Sequence, residues 1–87
     1  MTERLAAPLD REELRELIAD IIDVELAEVG DDTRFVEELE VDSLLVMEIT
    51  VQLEKRYGIK LTDGELKSLT TLSATHGLLE EKLRVRG

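Results

Sequence analysis

The chain has 87 residues, a formal net charge of −10 and no cysteine. A chain of this length forms one small domain and has no room for an enclosed enzyme cleft. The lack of cysteine excludes disulfides and thiolate metal sites and fits a reducing compartment, while the acidity disfavours nucleic acid or an anionic membrane as a partner. We therefore expect a cytoplasmic monomer that binds neither nucleic acid nor membrane and whose partners carry basic patches.

The first predicted element is a helix from about 11 to 24. Asp10 followed by Glu13 is typical of a capping box at a helix start. Apolar side chains then recur at helical spacing, at Leu14, Leu17, Ile18, Ile21 and Ile22. We interpret the charged residues of the other face as solvated: Arg11, Glu12, Arg15, Glu16 and Asp23. A loose lead is expected before this helix, at residues 1–9, and an ordered core from about 10 to 83 in a single domain, 1–87.

A long loop is predicted between the first and second helices, because no period is sustained from 25 to 41. Loops of this length usually carry function or their own packing anchors. The anchors predicted here are the apolar residues Leu26, Val29, Phe35, Val36 and Leu39. Asp31 and Asp32 do not form a calcium loop, because the alternating acidic positions and closing Glu of an EF-hand are missing. We predict no metal site.

A second helix is predicted from about 43 to 57, with Asp42 as its N-cap. Ser43 then lies at or next to the first turn, where it is exposed and close to unpaired backbone N–H groups. The positive end of the helix dipole lies there too, and this environment suits a phosphate ester. The alternative is that Asp42 and Ser43 only cap the helix.

The second helix has more apolar residues than one inward stripe needs. That stripe is predicted at Val46, Ile49, Leu53 and Tyr57, with Thr50 beside it. Leu44 or Leu45, Met47 and Val51 fall off the stripe, so we expect them to be partly exposed. We interpret Leu44, Met47 and Val51 as a partner-docking surface with Glu48 and Glu54 as its charged rim. The alternative is a deeply set helix in which these side chains belong to the core.

The rest of the chain predicts two further helices. Gly58 ends the second helix, Thr62 or Asp63 caps a short turn through residue 67, and Thr70 or Thr71 caps a final helix from about 72 to 83. A frayed tail follows from 84. The expected fold is all-α, a four-helix bundle with three longer helices, one short helix and a long loop between helices one and two. The residues expected to be buried are Leu17, Ile21, Ile49, Leu53 and Leu79.

His76 is the only histidine. A metal site would need a second imidazole or a cysteine, and a dyad with Ser43 would need an orienting group and an oxyanion pocket. We interpret His76 as a surface residue of the last helix, and we expect no catalytic residue.

Residues 31–44, followed by Glu48, resemble the acyl carrier protein family. Its signature is Asp-Ser-Leu at a helix start, with Phe or Leu eight residues before the serine and Glu five after it. Phe35, Asp42, Ser43, Leu44 and Glu48 fill those positions, and the resemblance covers roughly residues 10 to 83. One departure is Glu40, where the family usually has Gly, a residue that adopts positive φ at no cost.

This resemblance implies that Ser43 is esterified by 4′-phosphopantetheine, with Asp42 as the flanking cap. A phosphopantetheinyl transferase would transfer that group from coenzyme A. The terminal thiol would then carry acyl groups as thioesters between enzymes such as an acyltransferase, a ketosynthase or acyl-activating enzymes. The chain would thus be a substrate of its partners and not itself an enzyme.

The same resemblance bears on the pathway. Residues 54–56 have mixed charge where fatty-acid carriers have an acidic run, and Leu45 stands where Asp is common. The residues before Ser43 do not match the Gly-Gly-His/Asp of peptide-synthetase carriers. We therefore favour polyketide or other specialised-metabolite biosynthesis. The alternatives are a carrier of fatty-acid synthesis, an aminoacyl carrier, and an unmodified interaction module with the carrier fold.

Overall fold

The computed structural model describes residues 9–86, with side chains as far as Arg84. The lead that we predict before residue 9 and the last residue of the tail lie outside this range. Within it the chain forms five α-helices, one 3₁₀ helix and no strand. The helices are α1 (Arg11–Ile22), the 3₁₀ helix (Leu26–Glu28), α2 (Phe35–Leu39), α3 (Ser43–Tyr57), α4 (Asp63–Leu66) and α5 (Leu72–Arg86). None of these helices is long and apolar enough to cross a lipid bilayer.

The predicted all-α class is confirmed, with α1, α3 and α5 as the longer helices. Polar side chains cap the helix starts by accepting backbone hydrogen bonds, Asp10 from Glu12 at 2.9 Å, Thr62 from Glu65 at 3.2 Å and Thr71 from Ala74 at 3.1 Å. Left-handed residues end three of the helices: α1 at Asp23, with φ 60°, α2 at Glu40, with φ 54°, and α3 at the predicted Gly58, with φ 65°. α5 continues to Arg86, so the frayed tail predicted from residue 84 is not found in residues 84–86.

The prediction of an irregular loop from 25 to 41 is wrong in two places. The 3₁₀ helix and α2 occupy 3 and 5 residues of it, lengths too short for a hydrophobic period to show. Of the predicted anchors, Val29 and Phe35 are buried and Leu39 is half-buried, whereas Leu26 and Val36 are exposed. Phe35 fixes the segment because its side chain fills the core while its backbone N–H donates to the carbonyl of Thr70 at 2.9 Å.

An aliphatic core lies between α1, α3 and α5. The predicted burial of Ile49, Leu53 and Leu79 is confirmed, but Leu17 and Ile21 are only half-buried. The face of α1 that meets the core consists instead of Leu14, Ile18 and Ile22, one turn apart along the helix. The periodic apolar stripe identified the helix correctly. It was wide enough, however, for either Leu14 and Ile18 or Leu17 and Ile21 to face the core.

Arg15 is not simply solvated, as its position on the charged face of α1 suggested. Its side chain is 15% exposed and forms ion pairs with Glu12 at 2.8 Å and Asp31 at 2.7 Å, and it also donates to the carbonyl of Val29. These contacts raise the pKa of Arg15 and lower the pKa values of Glu12 and Asp31, mainly through the shared hydrogen bonds. Arg15 therefore fastens the segment after the 3₁₀ helix to α1.

His76 is buried, so the prediction of a surface position is wrong. Its Nε2 lies 2.9 Å from the carbonyl oxygen of Leu9, and its Nδ1 lies 3.8 Å from a carboxylate oxygen of Glu80. The imidazole thus joins α5 to the residue that precedes the N-cap of α1. No group of three or more potential ligands in residues 9–86 could hold a metal ion.

Candidate functional site

Ser43 is the first residue of α3, a helix of 15 residues, and its side chain is exposed. Asp42 is the N-cap, as predicted, and its Oδ1 accepts a hydrogen bond from the backbone N–H of Leu45 at 2.9 Å. The helical ladder then begins with Val46, whose N–H donates to the carbonyl of Asp42 at 3.0 Å. Because Asp42 does the capping, the hydroxyl of Ser43 has no partner in the described part of the chain.

The backbone before Asp42 makes a sharp turn at Glu40. This residue has φ 54° and ψ 39°, the left-handed conformation, and it ends α2. The N–H groups of Glu40 and Val41 both donate to the carbonyl of Phe35, and the side chain of Val41 is buried. The chain therefore keeps the positive φ that glycine favours although a glutamate stands there, and it carries the strain of a left-handed L-residue.

A groove of about 440 Å³ lies beside Ser43, between α2, α3 and α4. Its walls are mostly apolar, and the residues that line it are Val36, Val41, Asp42, Ser43, Val46, Met47, Leu66 and Lys67. In the described chain the N–H groups of Ser43 and Leu44 have no acceptor, which leaves two donors of the first turn next to the hydroxyl. This arrangement suits a phosphate ester that continues into a partly apolar arm. The hydroxyl is accessible, the free N–H groups can donate to the phosphate, and the apolar groove lies next to both.

The predicted exposure of three apolar residues of α3 is confirmed. Leu44 is 78% exposed, Met47 is 49% exposed and Val51 is 39% exposed, which contradicts the alternative of a deeply set helix. Spacings of three and four residues put the three on one face of α3. Val36 of α2, 55% exposed, lies on the same groove as Met47. Val36 was missed as a surface residue because an isolated valine in an irregular segment gives no sign of its orientation.

The two predicted rim residues differ in their surroundings. Glu48 is exposed and accepts a hydrogen bond from the side chain of Gln52 at 3.1 Å. Glu54 lies in the last turns of α3, far along the helix from Ser43, and its carboxylate accepts from the backbone N–H of Leu61 at 2.9 Å. Glu54 therefore holds the connection between α3 and α4, and its part in docking stays a prediction.

Comparison with known proteins places the chain in a family. The family described as phosphopantetheine attachment site matches residues 12–79, a stretch that includes Ser43. Polyketide-8 synthase acyl carrier protein 2 of Streptomyces avermitilis is 53% identical over 83 residues, 95% of both chains. The acyl carrier protein of Petrotoga mobilis is 34% identical over 74 residues, 85% of this chain and 87% of that one.

A solved structure extends the similarity to the fold. An acyl carrier protein from Enterococcus faecalis superposes with a TM-score of 0.68 at 28% identity, over 85% of this chain and 99% of that one. The chain therefore belongs to the acyl carrier protein family, whose members are carriers that bear 4′-phosphopantetheine.

Proposed function

We propose that Ser43 is the residue that bears 4′-phosphopantetheine, and that the chain carries acyl intermediates of polyketide biosynthesis. The observation that supports the attachment site is the free, exposed hydroxyl of Ser43 at the start of α3, next to a cap supplied by Asp42. When bound, the group supplies a terminal thiol that holds acyl groups as thioesters. The remaining chemistry belongs to partner enzymes.

The chain's own residues have three tasks in this proposal. Ser43 presents its hydroxyl oxygen to the phosphopantetheinyl transferase at the surface. Asp42 fixes the helix start, so the attachment point stays in one place when partners change. Leu44, Met47 and Val51 form the face that the transferase, acyltransferase and ketosynthase would bind, because exposed apolar side chains near the centre of a transient interface supply most of its affinity.

The polyketide pathway is supported by the relative from Streptomyces avermitilis, which is named as part of a polyketide synthase and matches 95% of this chain. The mixed charge of the last turn of α3, where Lys55 and Arg56 follow Glu54, supports it further. An enzyme that recognises an uninterrupted acidic run at that position would find two cations there and bind more weakly.

Intact-mass measurement tests the attachment site. The apo-protein is incubated with coenzyme A and a broad-specificity phosphopantetheinyl transferase, beside Ser43→Ala and the control Ser68→Ala. Ser68 suits this purpose because it is also an exposed serine, outside α3. Wild type and Ser68→Ala should each gain one phosphopantetheinyl group, and Ser43→Ala should gain none. A gain on Ser43→Ala, or none on the folded wild type, contradicts the proposal.

The pathway is tested separately, on the holo-protein isolated from its own host with its load attached. The thioester-linked groups are released and identified by mass spectrometry. Keto-containing or branched intermediates of a growing polyketide are expected. A load of saturated fatty chains or of amino acids would reject the polyketide assignment while leaving the attachment site intact.

A further inference from the structure

The groove beside Ser43 contains one positive charge. Lys67, the residue that ends α4, lines it together with apolar side chains from three helices. Among the described residues of the groove, Lys67 is the only cation and Asp42 the only anion. The position is notable because the chain as a whole has a net charge of −10.

Lys67 is not committed to another group. Across residues 9–86 its ammonium group forms no ion pair with a carboxylate. Glu65, the acid nearest to it along the sequence, is already engaged: it pairs with Lys82 at 2.8 Å and accepts from the backbone N–H of Thr62 at 2.9 Å. The Lys82 contact is the main reason that the pKa of Glu65 lies below its usual value. Lys67 is therefore available to a ligand in the groove.

A phosphodiester on Ser43 would bring a negative charge next to the carboxylate of Asp42. Like charges in neighbouring positions repel, and the repulsion is stronger beside apolar walls than in open water. A cation that lines the same groove offsets this repulsion. The long, flexible side chain of a lysine can follow such a charge without a fixed geometry.

We propose that Lys67 is a positioning residue that pairs with the phosphodiester on modified Ser43 and directs the pantetheine arm along the groove, over Met47 and Leu66. This inference rests on the proposed attachment at Ser43. Without the pairing, the same arm would leave the serine toward solvent in many directions. With it, the arm would spend part of its time against the groove and present its thiol from a preferred side.

The test uses the holo-protein with a nitroxide attached to the arm's terminal thiol. The broadening of backbone amide signals by the unpaired electron then reports where the arm lies. In Lys67→Gln we expect the ratio of groove-bound to free arm to fall about two- to fivefold, the range of an exposed ion pair. The fall should show as weaker broadening at Leu66 and Met47. Lys67→Arg, which keeps the charge, should resemble wild type.

Lys60→Gln is the matched control. Lys60 is also an exposed lysine, but it lines a different groove, near the end of α3, so its loss changes the net charge equally without touching the arm. It should leave the broadening unchanged. Raising the salt concentration to about 1 M, where the screening length is about 3 Å, should bring wild type to the level of Lys67→Gln.

The outcomes separate this inference from the proposed function. Intact mass is measured first: failure of the wild type to load at Ser43 rejects the attachment proposal. If loading succeeds but Lys67→Gln broadens Leu66 and Met47 as wild type does, the role of Lys67 is rejected alone. An equal loss of broadening at Leu66 and Met47 in Lys60→Gln or in Lys67→Arg also rejects the role of Lys67, because the effect would then come from net charge or side-chain shape.

Discussion

The backbone N–H of Glu40 donates to the carbonyl of Phe35 while Glu40 itself holds a left-handed conformation, at φ 54°. This pairing closes α2 and aims the chain at Asp42 and the start of α3. It is formed by a residue type for which the conformation is unfavourable by roughly 1–2 kcal/mol. The turn beside Ser43 is thus held by its surroundings and not by the conformational preference of Glu40.

Replacing Glu40 by Gly should stabilise the protein. Relief of the left-handed strain outweighs the greater freedom of glycine in the unfolded chain, and we expect a net gain of about 0.5–1 kcal/mol in the free energy of unfolding. Urea denaturation of both proteins measures it. Glu37→Gly is the control, because Glu37 lies inside α2 with ordinary helical geometry and should lose about 1 kcal/mol. A loss in both variants would contradict the strain argument.

Truncation of Leu53 should lower the free energy of unfolding far more than truncation of Leu17. Leu53 is fully buried, so Leu53→Ala should lower the free energy of unfolding by about 2–5 kcal/mol, a large share of the stability of so small a domain. Leu17 is half-buried, and its loss should cost a smaller part of that. Chemical denaturation gives both values. A cost below about 0.5 kcal/mol for Leu53→Ala would show that the core is placed wrongly.

Leu44→Ala and Met47→Ala should slow modification or acyl transfer while leaving the melting temperature nearly unchanged. Both side chains are exposed, so truncation removes contact with a partner and opens no cavity. Leu45→Ala is the control, because Leu45 packs against the core beside them. It should lower the melting temperature and leave the transfer rate of the folded fraction intact. Thermal melts and transferase kinetics on the three variants measure both effects. Lower melting temperatures for Leu44→Ala and Met47→Ala, together with normal transfer rates, would contradict a docking role.

The ion pair of Arg15 and Asp31 should make stability depend on pH in the acid range. The pKa of Asp31 is lowered from its ordinary 3.8, so the pair stabilises the fold above that value. The contribution is lost as the pH falls through the lower, folded-state pKa. Asp31→Asn should therefore melt below wild type near neutral pH, and the gap should close as the pH drops below 3.8. Asp20→Asn, at an exposed position of α1, is the control. A gap that persists after Asp31 is protonated would point to lost packing instead.

The long helices were predictable from the sequence because each has several turns of periodic apolar residues. The position of Ser43 at the start of α3 was predictable because an N-cap and its neighbour are determined locally. The rotation of α1 about its axis could not be predicted from the sequence. Leu14 and Leu17 lie on the same broad apolar stripe, and only packing against α3 and α5 determines which of them is buried. His76 was misplaced for a similar reason. Its partner is the carbonyl of Leu9, 67 residues away, and no local pattern records such a contact.

The groove could not be predicted at all from the chain order. Val36, Leu66 and Lys67 reach it from α2 and α4, two helices of 5 and 4 residues. Elements that short leave no periodic signal, and their position depends on the long helices they cover. Of the residues that line the groove, only Asp42, Ser43 and Met47 were predicted as site residues, because they belong to α3 or its cap.

Ser43 and the exposed apolar face share one uninterrupted helix, with no hinge between them. From Ser43 to Val51 the helix advances about 12 Å along its axis, and this spacing cannot change without breaking α3. An enzyme that bound the apolar face of α3 would therefore hold Ser43 at a fixed position relative to the enzyme's surface. In the proposed function α3 would set a fixed distance: a partner that binds this face would need its active-site tunnel at the same offset from the face, and the length of the arm would determine how deep the cargo enters.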